Sequence, residues 1–161
     1  MSVQPSQVAK PHYWDEAKRH LMRRDRILRR LIPEHSDAWL STSASPFTTL
    51  ARIIIGQQLS VRSATQMWER FTDACGTSDP DPARVLEIAR RPDGLDCLSK
   101  RKSGYIVGLA EHFRDEWAQL PDWDGVDDEA VIADLCKIRG VGRWTAELFL
   151  IFNLQRPDVL P

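Results

Sequence analysis

The chain has 161 residues, and its 22 basic and 23 acidic residues leave a formal net charge of −1 at pH 7. Hydrophobic residues make up 42%, so a domain with a sizeable core is expected and a highly charged disordered tail is excluded. The sequence lacks the run of about 18 apolar residues that a membrane span needs, and its polar first ten residues lack a signal segment. Three widely spaced cysteines fit a reducing compartment, so we expect a cytoplasmic protein.

The near balance of charge conceals two segments of opposite sign. Seven basic residues and one acid lie between Lys18 and Arg30, whereas nine acids and one base lie between Glu111 and Asp134. The basic run is most simply a solvated helix face, although such a face can also meet phosphate groups.

Apolar residues recur at helical spacing along nearly the whole chain. The first helix is predicted from Trp14 to Ile32, with Pro33 as its stop, and the second opens at a Ser45-Pro46 cap. Further helices are predicted from a Ser60 cap to Gly76, from Asp81-Pro82 to Ala89, from Ser99 to Gln119, from an Asp127 cap to Lys137, and from Arg143 to Asn153.

The sequence shows no convincing strand pattern, that is, no alternation of apolar and polar residues bounded by turns. The fold class is therefore predicted to be all-α. A loop at residues 121–125 separates two helical lobes, but no long linker indicates independent domains.

The most informative stretch is residues 138–146, which read Ile-Arg-Gly-Val-Gly-Arg-Trp-Thr-Ala. Gly140 and Gly142 form a tight turn between a helix that ends near Lys137 and one that starts at once, and two glycines let the backbone take positive φ and approach a bulky partner. The first N–H groups of the second helix have no intrahelical partner, so with the helix dipole they form an anion site, most simply for a phosphate. The alternative is an ordinary helix–helix turn that uses glycine as a helix stop.

This segment resembles the helix-hairpin-helix motif, which holds a DNA backbone without reading its sequence, and we place the motif at about residues 127–153. Upstream, residues 54–60 read Ile-Ile-Gly-Gln-Gln-Leu-Ser, and residues 98–102 form a basic segment. Together these resemble the DNA-3-methyladenine glycosylase II branch of the helix-hairpin-helix DNA glycosylases. The resemblance implies that residues 1–161 form one such domain, incomplete at its C-terminus.

The resemblance implies a monofunctional base-excision repair glycosylase that hydrolyses the N-glycosidic bond of alkylated purines such as 3-methyladenine and 7-methylguanine. Bifunctional members carry at the Trp144 position a Lys that attacks the sugar, which Trp cannot do. The Trp144 indole is expected to stack on a flipped cationic base, with Leu148 lining the same pocket. The alternative is that Trp144 is a core residue.

The resemblance also implies the contacts with DNA and with an ion. Gln58 aligns with the side chain that fills the gap left by the flipped nucleotide, unless it only braces its loop. No cofactor is required, but the main-chain carbonyls of Cys136, Ile138 and Val141 match positions that hold a Na⁺ or K⁺ ion. The expected DNA-binding residues are Gln58, Gly140, Val141, Gly142, Arg143 and Thr145.

The family's catalytic group is an Asp that stabilises the developing oxocarbenium sugar. Counted from Trp144, its position falls beyond Pro161, and Asp158 fits the family's non-catalytic Asp instead. We therefore expect no catalytic acid within the chain, an inactive chain as given, and marginal stability with Phe149 and Phe152 exposed.

The expected partner is double-stranded DNA with alkylated bases, bound by a monomer without membrane association. Two other functions are compatible with the sequence: a non-catalytic DNA-binding helix-hairpin-helix module, and a helical interaction domain whose glycine-rich turn is only structural.

Overall fold

A computed structural model of the protein describes residues 10–42, 45–116, 123 and 125–161. Within these ranges there are eight helices and no strand, so the all-α prediction is confirmed. None of these helices has the length and hydropathy that a transmembrane helix requires. The helices are α1 (Trp14–Arg24), α2 (Leu28–Glu34), α3 (Pro46–Gly56), α4 (Val61–Cys75), α5 (Pro82–Ala89), α6 (Lys100–Glu116), α7 (Asp128–Leu135) and α8 (Arg143–Phe152).

Helix α3 lies at the centre of the core. It packs against α4, α6 and α8, while α5 packs on α6 and α7 packs on α8. Ser45 caps it as predicted, because its Oγ accepts a hydrogen bond from the Thr48 N–H at 3.2 Å. Pro46 follows in the first turn, where no intrahelical donor is needed. Its buried residues are Phe47, Thr48, Thr49, Leu50, Ala51, Ile54 and Ile55.

Three more predicted caps are present. Ser60, Asp81 and Asp127 start α4, α5 and α7, and in each case the side-chain oxygen accepts a hydrogen bond from a main-chain N–H two or three residues further on. Gly76 ends α4 in the left-handed conformation, with φ of 72°. These junctions depend on local interactions, and local interactions are visible in the sequence.

The prediction of one helix from Trp14 to Ile32 is wrong. Asp25 breaks it, because its carboxylate accepts hydrogen bonds from the N–H groups of Ile27 and Leu28 at 2.7 and 2.8 Å and so opens a new helix. Pro33 does not stop that helix either. It lies inside α2, one residue before its end, where its missing N–H removes a single hydrogen bond.

The hairpin of α1 and α2 contributes no buried residue to the core. The segment that follows it is tied to the C-terminal segment by a hydrogen bond from Gln155 Nε2 to the Leu40 carbonyl at 2.8 Å. Apolar side chains line a groove of about 340 Å³ between the two helices. Its lining includes Trp14, Ala17, Leu21, Leu28, Leu31 and Ile32.

The two phenylalanines of α8 have opposite environments. Phe152 is 45% exposed, as predicted, but Phe149 is fully buried, so that part of the prediction is wrong. Phe149 faces the core, where its ring meets that of Trp123 edge to face with centroids 5.3 Å apart.

This contrast gives a stability prediction. Phe149→Ala should lower the free energy of unfolding by about 3–5 kcal/mol, because it leaves a cavity in the core. Phe152→Ala, its matched control on the same helix, should change it by about 1 kcal/mol or less, because the side chain is partly solvated. Urea denaturation followed by circular dichroism measures both. Equal effects of the two substitutions would contradict the assigned packing of α8.

Candidate nucleic-acid interface

The turn between α7 and α8 presents main-chain donors at the surface. The Val141 N–H donates to the Ile138 carbonyl at 3.0 Å and closes the turn. Gly142 is the N-cap of α8, and it offers no side-chain acceptor to the N–H groups of the first turn. Because Gly142 and Arg143 are exposed, these unpaired donors lie where an anion can reach them.

The two glycines of the turn serve different purposes. Gly140 has φ of 94°, and a Cβ added to it would lie 2.6 Å from Cγ of Tyr105 on α6. Gly142 has φ of −102°, so of the two glycines only Gly140 uses the positive φ that glycine permits. A Cβ on Gly142 would meet no atom within 4 Å in the described part of the chain. Packing within the protein therefore requires a glycine at position 140. At position 142 the glycine only leaves the surface open.

Arg143 joins the two helices of the hairpin. Its guanidinium donates to both carboxylate oxygens of Glu129 on α7, and its Nε donates to Glu147 Oε1 at 2.9 Å. The hydrogen bond from Arg143 lowers the pKa of the Glu129 carboxyl, and the same contact raises the pKa of Arg143. The cation predicted to bind DNA is thus already opposed by two carboxylates.

Gln58 lies just beyond the C-terminal end of α3. It is exposed, and its φ of 59° places it in the left-handed region that non-glycine residues seldom adopt. Among the described residues its side chain makes no hydrogen bond, so the alternative that Gln58 braces its loop is not supported.

The bracing residue is its neighbour, Gln57. The Gln57 Nε2 donates to the Gly140 carbonyl at 3.1 Å and to Thr145 Oγ1 at 3.0 Å. The Lys102 ammonium on α6 donates to the carbonyls of Ile55 and Gln57, the latter at 3.0 Å. Burial lowers the pKa of Lys102. One loop is thus connected both to the hairpin and to α6.

The remaining predicted side chains differ in exposure. Trp144 is 53% exposed, so the alternative that it is a core residue is wrong. Leu148, one turn further on, is half-buried. Val141 and Thr145 are buried, and the Thr145 hydroxyl accepts a hydrogen bond from Gln57, so of these two predicted DNA-binding residues only the main-chain groups remain as candidate contacts.

The predicted ion ligands and the predicted non-catalytic aspartate lie at opposite ends of α8. Cys136, Ile138 and Val141 belong to the turn before α8, and the Ile138 carbonyl already accepts one hydrogen bond. A carbonyl oxygen has a second lone pair, so this does not prevent a contact with a cation. Asp158 is exposed beyond the C-terminal end of α8, with φ of 59°.

Sequence reasoning missed the residues that hold the site together. Gln57 was visible as half of the Gln-Gln pair, but its partners lie 83 and 88 residues away. Lys102 belongs to the basic segment 98–102, which resembles a family feature, yet its ammonium meets the carbonyls at the end of α3. Glu129 carried no signal beyond its place in the first turn of α7.

Residues 51–147, more than half of the chain, match the family of HhH-GPD superfamily base excision DNA repair proteins. The chain belongs to this superfamily. The matched range contains both Gln57-Gln58 and the hairpin turn, so the two parts of the site fall within the family's own region. The chain spans about half the length, or less, of the first curated relatives that it matches.

Relatives and solved structures agree with this membership. A DNA-3-methyladenine glycosylase of Saccharomyces cerevisiae is 35% identical over 127 residues, which cover 70% of this chain and 41% of the yeast protein. A 3-methyladenine DNA glycosylase of Schizosaccharomyces pombe in complex with abasic DNA superimposes with a TM-score of 0.75 at 28% identity, covering 91% of this chain and 73% of its own. A DNA-3-methyladenine glycosidase of Bacillus halodurans gives 0.67 at 32% identity, covering 77% and 57%.

The two glycines should respond differently to alanine. Gly140→Ala should destabilise the protein by about 2 kcal/mol or more, because it combines positive φ with a clash against Tyr105. Gly142→Ala should change stability by about 1 kcal/mol or less, because two effects oppose each other. Alanine is a poorer N-cap than glycine, which destabilises the protein, but it lowers the entropy of the unfolded chain, which stabilises it. Urea melts of the two variants side by side test this. A Gly140→Ala variant as stable as the unsubstituted protein would refute the close packing on Tyr105.

Proposed function

We propose that the chain is the DNA-binding helical part of a monofunctional DNA-3-methyladenine glycosylase of base excision repair. One observation carries the proposal: Gly142 leaves the amides at the start of α8 open, although nothing in the described part of the chain requires a glycine there. A partner that must approach the main chain closely accounts for it, and a phosphate is the anion such amides bind. Membership of the superfamily and the likeness to a glycosylase bound to abasic DNA support this partner.

Removal of a base requires the damaged nucleotide to leave the stack, and two exposed side chains fit this task. Gln58 extends from a strained backbone with its amide unpaired among the described residues, so it can fill the gap and bond to the orphaned base. The exposed Trp144 indole can stack on a cationic alkylated purine. Since indole has no amine to attack the sugar, the reaction that we propose stops at base release.

The proposed substrates are 3-methyladenine and 7-methylguanine, because a positively charged base is already a good leaving group. We assign no catalytic carboxylate to the described residues, because the resemblance implies that Asp158 is the family's non-catalytic aspartate. The non-catalytic DNA-binding module remains the second candidate function. The free cysteines Cys75, Cys97 and Cys136 support a cytoplasmic location.

The binding test compares two duplexes, one undamaged and one with a tetrahydrofuran abasic-site analogue. We expect the chain to prefer the abasic duplex in fluorescence anisotropy. Gly142→Leu should weaken binding to both duplexes at least tenfold, because its side chain would occupy the space that the phosphate needs. Ala74→Leu, at an exposed position on α4, should leave both affinities unchanged.

Two outcomes would count against the proposal. Absence of duplex binding, or binding that Gly142→Leu leaves intact, would favour an interaction domain whose turn is only structural. Release of 3-methyladenine from alkylated DNA would exclude the non-catalytic binding module and would favour an active glycosylase.

A monovalent cation is proposed at the carbonyls of Cys136, Ile138 and Val141, where it would add positive charge beside the bound phosphate. Replacing K⁺ and Na⁺ by tetramethylammonium at equal ionic strength should then weaken binding to the abasic duplex several-fold, because the larger ion cannot enter the turn. Affinity that stays unchanged after this replacement would remove the ion from the proposal.

A further inference from the structure

We propose that Gln57 and Lys102 are positioning residues that hold the Gln58 loop at a fixed place relative to the hairpin, so that the side chain filling the DNA gap and the turn gripping the phosphate act as one unit. The proposal rests on the proposed function, because it assumes that these two parts meet the same duplex.

The first link runs from α6 to the end of α3. The Lys102 ammonium donates to the carbonyls of Ile55 and Gln57, which belong to the last turn of α3 and to its C-cap. Carbonyl groups at this end of a helix lack intrahelical donors, and a cation there also complements the helix dipole. Lys102 therefore fixes the backbone immediately before Gln58.

The second link runs from the same loop to the hairpin. A primary amide has two N–H donors, and the Gln57 amide engages one acceptor on each side of the turn. Its Nε2 reaches the Gly140 carbonyl at 3.1 Å, inside the turn, and Thr145 Oγ1 at 3.0 Å, inside α8. Both contacts are partly shielded from water, so they fix distances more firmly than exposed hydrogen bonds would.

The third link closes the arrangement. Tyr105 lies one turn after Lys102 on α6, and it packs so tightly against Gly140 that a Cβ there would clash. Helix α6 thus contacts both the loop and the hairpin. Gln58 between them keeps φ of 59°, a conformation that persists in a non-glycine residue only where its surroundings hold it.

In this arrangement the neighbouring glutamines have different roles: Gln57 positions the loop, and Gln58 fills the gap in the DNA. Gln58 is exposed and makes no side-chain hydrogen bond among the described residues, whereas Gln57 is half-buried and bonded to the hairpin. If the loop shifted by about 1 Å, an inserted side chain would miss the gap while the phosphate contacts stayed intact. Loss of Gln57 should therefore impair recognition of the gap more than binding to ordinary duplex.

The experiment uses the undamaged and abasic duplexes, each carrying a 2-aminopurine whose fluorescence reports unstacking beside the gap. The variants are Gln57→Ala, Gln57→Glu and Lys102→Met, with Gln58→Ala as the reference for a lost gap-filling side chain. Gln66→Ala and Lys100→Met are matched controls at exposed positions on α4 and α6. Circular dichroism melts establish which variants are folded.

We expect the Gln57 and Lys102 variants to bind undamaged duplex within twofold of the unsubstituted protein and to lose at least tenfold of their preference for the abasic duplex. Their 2-aminopurine signal should fall to that of Gln58→Ala, while both controls keep the full preference. Lys102→Arg should recover part of the loss, since it restores a cationic donor.

The proposal is overturned if Gln57→Ala keeps the abasic preference, or if it weakens binding to both duplexes equally. If Gln57→Ala does not fold, Gln57→Glu provides the same test. Its carboxylate can still accept a hydrogen bond from the Thr145 hydroxyl, but it cannot donate one to the Gly140 carbonyl. Unfolding of both Gln57 variants would assign Gln57 to folding alone. If the unsubstituted protein prefers neither duplex, the proposed function fails, and the positioning role fails with it.

Discussion

Burial of helix α3 is the constraint on which the rest of the structure depends. Because α4, α6 and α8 all pack against it, the helix can neither rotate nor slide without opening the core. Its C-terminal end is therefore fixed, and the chain leaves it at Gln57 and Gln58. The exposed loop takes its position from a helix whose residues are mostly buried.

The hairpin turn packs against helix α6 on its inner side and is open to solvent on its outer side. Gly140 faces Tyr105 and leaves no room for a side chain, so the turn has little freedom relative to α6. Gly142, two residues on, faces unoccupied space among the described residues. The two glycines of this short motif therefore have different roles. Gly140 allows the turn to pack against α6, and Gly142 leaves the main chain of the turn accessible.

The sequence predicted what depends on neighbouring residues. The caps at Ser45, Ser60, Asp81 and Asp127 involve partners two or three residues away, and all four were predictable. The break at Asp25 was hidden, because apolar spacing continues across it and an internal aspartate resembles any charged surface residue.

Contacts between distant segments were the part that could not be predicted. The bonds from Gln57 to the hairpin span more than 80 residues, so no local pattern reveals them. Phe149 and Phe152 looked alike in sequence, and only the tertiary packing, which includes the contact of Phe149 with Trp123, separates the core residue from the surface one.

The pairing of Arg143 has an electrostatic consequence for how a nucleic acid is held. A cation that binds DNA through its own charge releases condensed counterions, and its affinity then falls steeply with ionic strength. Arg143 is already paired with Glu129 and Glu147, so a phosphate at the start of α8 meets mainly backbone dipoles. Contacts of this kind liberate few counterions. Under the proposed function, the grip of this hairpin on the DNA backbone would therefore weaken only gently as salt is added.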